Sequence, residues 1–265
     1  MPQPDTPPLP AAFAARLAGA DWHDATFGYS GVRVFRVVSP GRPPSYLKLA
    51  APPLSEELVS ERARLEWLRG KLPVPAVEAF AVADEYSFLL LSEVPGTMAC
   101  DQVFADDPPT LVRLLADGMR QLHQLNVTGC PFDMRLDIQL ARAERRLRAG
   151  LVDEGDFDAE RLGMRAGDLY EQLLRDRPAS EDLVFTHGDY CLPNIMIDRD
   201  HGCISGFIDL SRAGAADRYQ DLALAARSLA YNVGPGYESL LWGAYGLQEP
   251  DEAKIAYYQL LDEFF

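Results

Sequence analysis

The alternation of apolar and polar positions in the first third of the chain predicts strands around one main helix. The segment from Val32 to Val38 alternates and is rich in Val and Phe, and Tyr46 to Leu49 follows it after a Gly-Arg-Pro-Pro turn. Together these segments predict a β-hairpin. A further strand is predicted after Pro75, and the continuous apolar run from Ser87 to Ser92 is typical of a buried strand. Leucines at helical spacing predict the helix, from Glu56 to Leu68.

Helical spacing dominates the rest of the chain. Apolar residues recur every three or four positions from Leu111 to Leu125, from Ile138 to Ala149 and from Ala166 to Leu174, and each series predicts a helix. His123, within the first series, is interpreted as a packing or surface residue. Two short β runs between residues 194 and 208 interrupt this pattern before helices resume.

The pattern changes at a Pro-Gly pair, residues 95–96. The change from strand to helix periodicity predicts an α+β protein. Its two lobes would be a small antiparallel, strand-rich lobe, residues 1–94, and a larger, mainly helical lobe, residues 95–265. The net charge is −15, and the second lobe holds 29 acids and 16 bases, against 11 and 9 in the first. Such a surface repels nucleic acid and anionic membranes, so it favours a small cationic partner for the second lobe.

Several kinds of site are excluded by what the sequence lacks. The four cysteines do not have the spacing of zinc ligands, so we expect free, buried thiols in a cytoplasmic protein. No apolar stretch approaches the ~20 residues that a membrane span requires, and no Gly-x4-Gly-Lys-[Ser/Thr] phosphate loop occurs. No feature indicates an obligate protein partner. The segment from Gly28 to Gly31 is compatible with a loop over phosphates or with a small turn.

Lys48 and Glu61 form the first candidate for chemistry. Lys48 lies in a predicted strand between Leu47 and Leu49, whereas Glu61 shares the inward face of the predicted helix. A carboxylate in that place must find a cation, because an unpaired buried charge costs several kcal/mol. The pair would either aim the ammonium at nucleotide phosphates, as in protein kinases, or form an ordinary, partly buried salt bridge.

The segment Thr-His-Gly-Asp-Tyr-Cys-Leu-Pro-Asn, residues 186–194, carries the strongest catalytic signal. Asp189 and Asn194 have the spacing of the kinase catalytic loop, in which the Asp accepts a hydroxyl proton and the Asn binds magnesium. Asp209 follows a Phe-Ile β run and fits a second ligand, because Mg²⁺ prefers oxygen donors. His187 precedes a turn glycine and is interpreted as a structural residue that bonds the backbone.

Six blocks of sequence extend this signal from the first lobe to the last residue. They are Gly70-Lys-Leu-Pro-Val-Pro75, Leu90-Leu-Ser-Glu93, His187-Gly-Asp-Tyr-Cys-Leu-Pro-Asn-Ile-Met196, Ser205-Gly-Phe-Ile-Asp209, Ala216-Asp-Arg-Tyr-Gln-Asp221 and Leu260-Leu-Asp-Glu-Phe-Phe265. Together they resemble the aminoglycoside 3'-phosphotransferases, which are antibiotic kinases. The resemblance implies a two-lobed, protein-kinase-like fold. It also implies phosphorylation of the 3'-hydroxyl of kanamycin- or neomycin-type drugs by ATP with Mg²⁺, which confers resistance.

The resemblance assigns ATP to the first lobe. Tyr46 would stack on adenine, Ser30 would lie in the loop over the phosphates, and Lys48, oriented by Glu61, would contact them. The full set is Ser30, Tyr46, Lys48, Glu61, Ser92 and Val94, the last two acting through their backbones. The same resemblance makes Asp189 the catalytic Asp and gives Mg²⁺ to Asn194 and Asp209.

The resemblance assigns the drug to an acidic pocket with one arginine. Its residues would be Asp158, Glu160, Asp189, Asp262, Glu263 and the carboxylate of Phe265, with Arg212 bonding the ring system. Residues 151–189 hold 11 acids against 4 bases, which agrees with a cation site. Because acids at the end of a helix oppose its dipole, we expect substrate amines to compensate them. Ala159, Ser228 and Tyr231 stand where some relatives carry acids, which leaves the range of drugs open.

Two other functions fit part of these observations. A kinase for choline, homoserine or a sugar would use the same chemistry, but those substrates carry one amine or none and leave the acidic pocket unexplained. A polycation-binding module with a vestigial kinase motif would be expected to have lost Lys48, Asp189, Asn194 or Asp209, and all four are present.

Overall fold

The computed structural model describes residues 7–25 and 31–265. The chain divides into two compact units. The first unit reaches Gly96 and also takes in Ser205–Ser211, while the second consists of Thr97–Ile204 and Arg212–Phe265. The predicted division left residues 205–211 in the second lobe. They cluster with the first unit because the Phe207 N–H donates to the Pro73 carbonyl at 2.9 Å.

The first unit is built on one antiparallel sheet with the strand order β1-β2-β3-β5-β4. Its elements are α1 (Ala11–Arg16), β1 (Asp21–Asp24), β2 (Arg33–Val38), β3 (Ser45–Ala50), α2 (Ser55–Leu68), β4 (Val77–Ala83) and β5 (Tyr86–Ser92). The predicted hairpin is the β2–β3 pair, in which Arg33 lies opposite Leu49. Strand β1 was not predicted, because its sequence Asp-Trp-His-Asp is mostly polar and exposed.

Alternation along β3 decides where the candidate lysine lies. Leu47 and Leu49 are buried in the core, where they pack with Phe13, Phe35 and Phe88. Since successive side chains of a strand point to opposite faces, Lys48 leaves that core and faces α2. The buried face of α2 carries Glu61 among its leucines, so the strand and the helix bring the two charges together.

The second unit is mainly helical, as predicted. Its elements are β6 (Thr97–Met98), α3 (Pro108–His123), α4 (Leu136–Arg148), α5 (Ala166–Arg175), β7 (Leu183–Thr186), β8 (Ile195–Asp198), β9 (Cys203–Phe207, which runs on into the first unit), β10 (Gly214–Asp217), α6 (Tyr219–Asn232), α7 (Glu238–Tyr245) and α8 (Glu252–Asp262). Strand β7 pairs with β10, and β6 pairs with β8, both antiparallel. The Gly-Ala-Ala-Asp sequence of β10 has low β propensity, so its strand was not predicted.

The cysteines are free, as predicted, but not all of them are buried. Cys203 is exposed, and Cys100, Cys130 and Cys191 are half-buried. The expectation of buried thiols was wrong for Cys203, which begins β9 at the surface, whereas burial raises the pKa of the Cys100 and Cys191 thiols. In the part of the chain that the structure describes, no helix has the length and apolar character needed to cross a membrane.

Candidate active site

The predicted pair in the first unit is present. The Lys48 ammonium lies 2.8 and 2.9 Å from the two carboxylate oxygens of Glu61, and 3.3 Å from Oδ1 of Asp209. Burial by itself would lower the pKa of Lys48, but the Asp209 and Glu61 carboxylates raise it above its ordinary value. The ammonium is therefore charged at neutral pH and is held between two acids.

This geometry predicts the behaviour of three variants. Lys48→Ala is expected to raise KM for ATP, because it removes the cation that is predicted to contact the phosphates. Glu61→Ala should act in the same direction by leaving the ammonium misdirected, and the double variant should lose less than the sum of the single losses. Steady-state kinetics with varied ATP measure all three. Glu66→Ala, which removes an exposed acid of the same helix, is the control; strictly additive losses would make Glu61 a local structural residue.

Asp209 is held in an unusual backbone conformation just after β9. Its φ is +59°, a left-handed conformation that Asp tolerates better than most residues. Gly206, three residues earlier, has no room for a side chain: a Cβ there would lie 2.5 Å from Cγ1 of Val94 and 2.8 Å from the carbonyl oxygen of Pro73. The close approach fixes the strand and so positions the Asp209 carboxylate next to Lys48.

The other residues predicted to bind the nucleotide are Tyr46, Ser92, Val94 and Ser30, and the structure describes the first three. Tyr46 is half-buried on β3, beside the ion pair of Arg36 and Glu93. At the end of β5, the Ser92 N–H donates to the carbonyl of Ala76 at 2.9 Å, so this N–H is already engaged. Val94 follows in the connection to the second unit. Ser30 lies outside the described residues. The predicted adenine contacts of these residues remain predictions.

The catalytic loop of the second unit is held in place through its backbone groups. Gly188 has a φ of +83°, and a Cβ there would lie 2.2 Å from the carbonyl oxygen of Arg212, so only glycine fits. The Asp221 carboxylate accepts the N–H groups of His187 and Gly188 at 2.8 and 2.9 Å. The His187 ring nitrogen in turn accepts the Asp189 N–H at 3.3 Å, which agrees with its predicted structural role.

Asp189 and Asn194 contact each other as the spacing predicted. The Asn194 amide nitrogen donates to the Asp189 carbonyl at 3.0 Å and to Oδ2 of its carboxylate at 2.9 Å. The second carboxylate oxygen and the Asn194 amide oxygen are not used in these bonds. The loop thus fixes Asp189 against Asn194, while the proton-accepting role of Asp189 and the cation-binding role of Asn194 stay predictions.

The donor chemistry of the two predicted magnesium ligands fits this ion. Asn194 and Asp209 offer oxygen donors, which are the ligands that Mg²⁺ prefers. Among residues 7–25 and 31–265, no group of three or more His, Cys, Asp or Glu side chains forms a metal cluster. Mg²⁺ commonly has one or two protein ligands, and phosphates and water complete its coordination.

The acids predicted to bind the drug are brought together in the second unit, but arginines accompany them. Asp262 bonds to Arg212 at 2.5 Å and also to Arg227. Burial would raise the pKa of Asp262, but the two guanidinium groups lower it below its ordinary value. The carboxylate is therefore ionised and already paired before any substrate binds.

A second group of acids surrounds Arg161. Its guanidinium lies 3.0 Å from Glu263, 3.2 Å from Asp158 and 2.6 Å from Glu160. Glu263 is the least exposed of these acids, with 4% of its side chain accessible. Burial and the neighbouring Asp158 carboxylate raise the pKa of Glu263 to about 7. This acid therefore titrates near neutral pH, unlike Asp262.

The last residues of the chain also contact arginines of the second unit. The Arg146 guanidinium donates to the Phe264 carbonyl at 2.6 Å, and the Phe265 ring lies 4.7 Å from the guanidinium carbon of Arg212 and 5.6 Å from that of Arg142. Arg161, Arg212 and Arg227 pair with the acids at the end of α8, so the predicted substrate amines would share these acids with the arginines.

Sequence reasoning missed the residues that support the site. Asp221 is the last residue of one of the six sequence blocks but was given no role. Arg161 and Arg227 lie in no recognised motif. The charge count included these arginines in the total number of bases and could not show which acids they pair with. An acid in the first turn of the helix that follows the β10 segment was a local signal that could have indicated Asp221 as a support for the loop.

Comparison with known proteins agrees with this geometry. The sequence model of the phosphotransferase enzyme family (APH) matches residues 25–258. Aminoglycoside 3'-phosphotransferases are similar to the chain: that of Niallia circulans is 41% identical over 239 residues, covering 90% of both chains, and one from Escherichia coli is 34% identical over 262 residues, covering 98% of this chain and 96% of its own. The chain belongs to the phosphotransferase enzyme family, and the predicted resemblance to its aminoglycoside 3'-phosphotransferases is confirmed.

Solved structures confirm the predicted α+β, kinase-like fold. An aminoglycoside-3'-phosphotransferase of type VIII matches with a TM-score of 0.86 and 36% identity, covering 96% of this chain and 97% of its own. The phosphotransferase APH(3'')-Id of Streptomyces rimosus, in complex with ADP and streptomycin, matches with a TM-score of 0.80 and 28% identity, covering 95% of both chains.

Proposed function

We propose that the protein transfers the γ-phosphoryl group of ATP to the 3'-hydroxyl of kanamycin- or neomycin-type aminoglycosides and thereby confers resistance to them. The observation that carries the proposal is the Asp189–Asn194 loop held by Asp221, in a chain whose relatives are aminoglycoside 3'-phosphotransferases. The relative that was solved with ADP and streptomycin supports both kinds of ligand.

The reaction needs one proton acceptor at the drug hydroxyl. A bond forms between the 3'-oxygen and the γ-phosphorus, while the bond from that phosphorus to the β–γ bridging oxygen breaks, and ADP leaves with the electron pair. The hydroxyl proton passes to the Asp189 carboxylate and then to water. Asn194 donates to Oδ2 of this carboxylate and would orient it toward the hydroxyl.

Charge neutralisation is the other requirement of phosphoryl transfer. Lys48 supplies a fixed positive charge, because Glu61 and Asp209 keep it ionised. Asn194 and Asp209 would hold Mg²⁺, which when bound neutralises charge on the phosphate oxygens. The acids near Arg161 and Asp262 would meet the ammonium groups of the drug.

Phosphate transfer from labelled ATP to a panel of acceptors tests the proposal. We expect kanamycin and neomycin to be phosphorylated and tobramycin, which lacks the 3'-hydroxyl, to be spared. Choline, homoserine and simple sugars serve as controls for the related kinases. Equal turnover of tobramycin would contradict the assigned hydroxyl, and transfer to choline but to no aminoglycoside would replace the proposed substrate class.

The titration of Glu263 predicts a pH dependence of drug binding. Since its pKa is raised to about 7, Glu263 is protonated and neutral below that pH and ionised above it. Ammonium groups bind the ionised form better, so KM for kanamycin should fall several-fold between about pH 6 and pH 8. Glu263→Gln should flatten this part of the profile. Because the drug's own amines titrate identically with both proteins, parallel profiles would show that Glu263 does not contribute.

A further inference from the structure

A buried glycine, Gly118, lies within helix α3. Glycine weakens a helix interior, because it loses more backbone freedom on folding than other residues do, so its presence there calls for a packing reason. The space beside it is filled: a Cβ at Gly118 would lie 2.6 Å from the Tyr190 hydroxyl and 3.0 Å from Cγ1 of Ile204. The missing side chain therefore leaves a gap in the helix surface, and the hydroxyl of Tyr190 occupies it.

The Tyr190 hydroxyl is also bonded to α3 at this gap. It donates to the Leu115 carbonyl at 2.7 Å, three positions before Gly118 on the same helix. The side chains of Tyr190 and Leu115 are fully buried, so water does not compete for this bond. Burial raises the pKa of the Tyr190 hydroxyl well above its ordinary value. The hydroxyl therefore keeps its proton and remains a donor throughout the neutral range.

Tyr190 connects this contact with the catalytic loop. It directly follows Asp189 in the chain, and its ring lies 6.0 Å from the His187 ring in an edge-to-face arrangement. The His187 ring in turn accepts the Asp189 N–H. Whereas Asp221 holds the backbone of this loop from α6, Tyr190 attaches it to a second helix, α3.

We propose that Tyr190 is a positioning residue for Asp189, because its hydroxyl, seated against Gly118, fixes the catalytic loop to α3. The inference rests on the proposed function for the role of Asp189 and adds the residue that sets its position. Protein interiors are close-packed, so the buried ring has little space in which to yield. A methyl group at Gly118 therefore displaces the ring, and the displacement reaches Asp189 through the adjoining peptide and through His187.

Two single variants test the contact from its two sides. Gly118→Ala is expected to lower kcat roughly tenfold or more, because small displacements of a catalytic group have large effects on the rate. Tyr190→Phe keeps the ring but loses the bond to Leu115, and should lower kcat about threefold. In both variants KM for ATP should stay within about twofold of the wild-type value, since the predicted nucleotide residues belong to the first unit. Steady-state kinetics with kanamycin and varied ATP measure these changes.

The double variant Gly118→Ala with Tyr190→Phe makes the test specific. Removing the hydroxyl frees the space that the new Cβ enters, and the Ile204 side chain has to yield by only a few tenths of an ångström. We therefore expect kcat of the double variant to return to within about twofold of that of Tyr190→Phe. A loss that only destabilised α3 would not be rescued in this way.

Gly167→Ala is the matched control. Gly167 is exposed on α5, and a Cβ there would have no neighbour within 4 Å, so this variant should keep the wild-type kcat. If Gly118→Ala leaves kcat unchanged, or lowers it by the same factor with Tyr190 and with Phe at position 190, the inference is overturned.

Hydrogen exchange of the catalytic loop keeps the test independent of the substrate. The peptide that spans residues 186–194 reports local opening of the loop. Its amides should exchange roughly fivefold faster in Gly118→Ala than in the wild type, and the double variant should return to the rates of Tyr190→Phe. If Gly118→Ala does not fold, Tyr190→Phe decides alone, since unchanged kcat and unchanged loop exchange in that variant would refute the inference.

The two readouts also separate this inference from the proposed function. If the wild type transfers phosphate to no aminoglycoside, the proposed function fails. The exchange rates still decide whether Tyr190 fixes the loop to α3, because equal loop exchange in the wild type, Gly118→Ala and Tyr190→Phe would refute that contact whatever the activity.

Discussion

Replacing Asp189 with alanine is expected to lower kcat for phosphate transfer by at least ~10²–10⁴-fold, the usual contribution of a general base. ATP binding should persist, because Asp189 is proposed to act on the acceptor hydroxyl and the predicted nucleotide residues belong to the first unit. Asp209→Ala should have the opposite effect, with nucleotide binding impaired before kcat. It removes a predicted Mg²⁺ ligand and a partner of Lys48, so productive binding of Mg–ATP should be lost first.

Single-turnover kinetics and calorimetric titration with ATP separate these two outcomes. Asp200→Ala removes an exposed carboxylate from the turn after β8 and should retain the wild-type kcat. A variant Asp189→Ala with near-normal kcat would show that another group takes the hydroxyl proton. Loss of ATP affinity in that variant, with no change in chemistry, would place Asp189 in nucleotide binding instead.

The parts of the site that the sequence predicted are those fixed by local periodicity. A period of two on β3 turns Lys48 away from Leu47 and Leu49, and a helical period on α2 places Glu61 with its buried leucines. The distance from Asp189 to Asn194 is set by one tight loop. In each case a few adjacent residues determine the geometry, so spacing alone was sufficient.

The parts that the sequence did not predict depend on contacts between distant segments. Residues 205–211 cluster with the first unit because of partners such as Pro73, more than 100 positions earlier. The charge count revealed an acidic region, but it could not show that Asp262 pairs with Arg212 and Arg227. Net charge is a sum over the chain, whereas pairing depends on the folded arrangement of individual groups.

His123 illustrates the same limit in the core of the second unit. Its helical neighbours suggested packing or a surface position, yet its ring bridges two polar groups. One ring nitrogen lies 3.1 Å from the Asp221 carboxylate and the other 2.7 Å from the Tyr245 hydroxyl. The neutral tautomer that donates to Asp221 and accepts from Tyr245 satisfies both contacts. His123 therefore supports, through Asp221, the backbone that presents Asp189.

Asp221→Ala is expected to lower the free energy of unfolding by ~3–5 kcal/mol, the cost of removing one partner from a buried charged network. Asp221 is fully buried and accepts the N–H groups of His187 and Gly188 as well as the His123 contact. Its truncation leaves these donors unpaired, and each buried unpaired group costs ~1–3 kcal/mol. The catalytic loop would lose its anchor, so kcat should also fall by at least tenfold.

Denaturant unfolding measures the stability loss, and kcat at a temperature where the variant is folded measures the loss of loop geometry. Asp221→Asn keeps one acceptor oxygen and should lose less stability than the alanine variant, whereas Asp182→Ala, which removes an exposed acid, should change stability by less than about 1 kcal/mol. Because two backbone N–H groups depend on this one carboxylate, an alanine variant as stable as the wild type would mean that water or another acceptor replaces it. In that case Asp221 would not be what holds Asp189 in position.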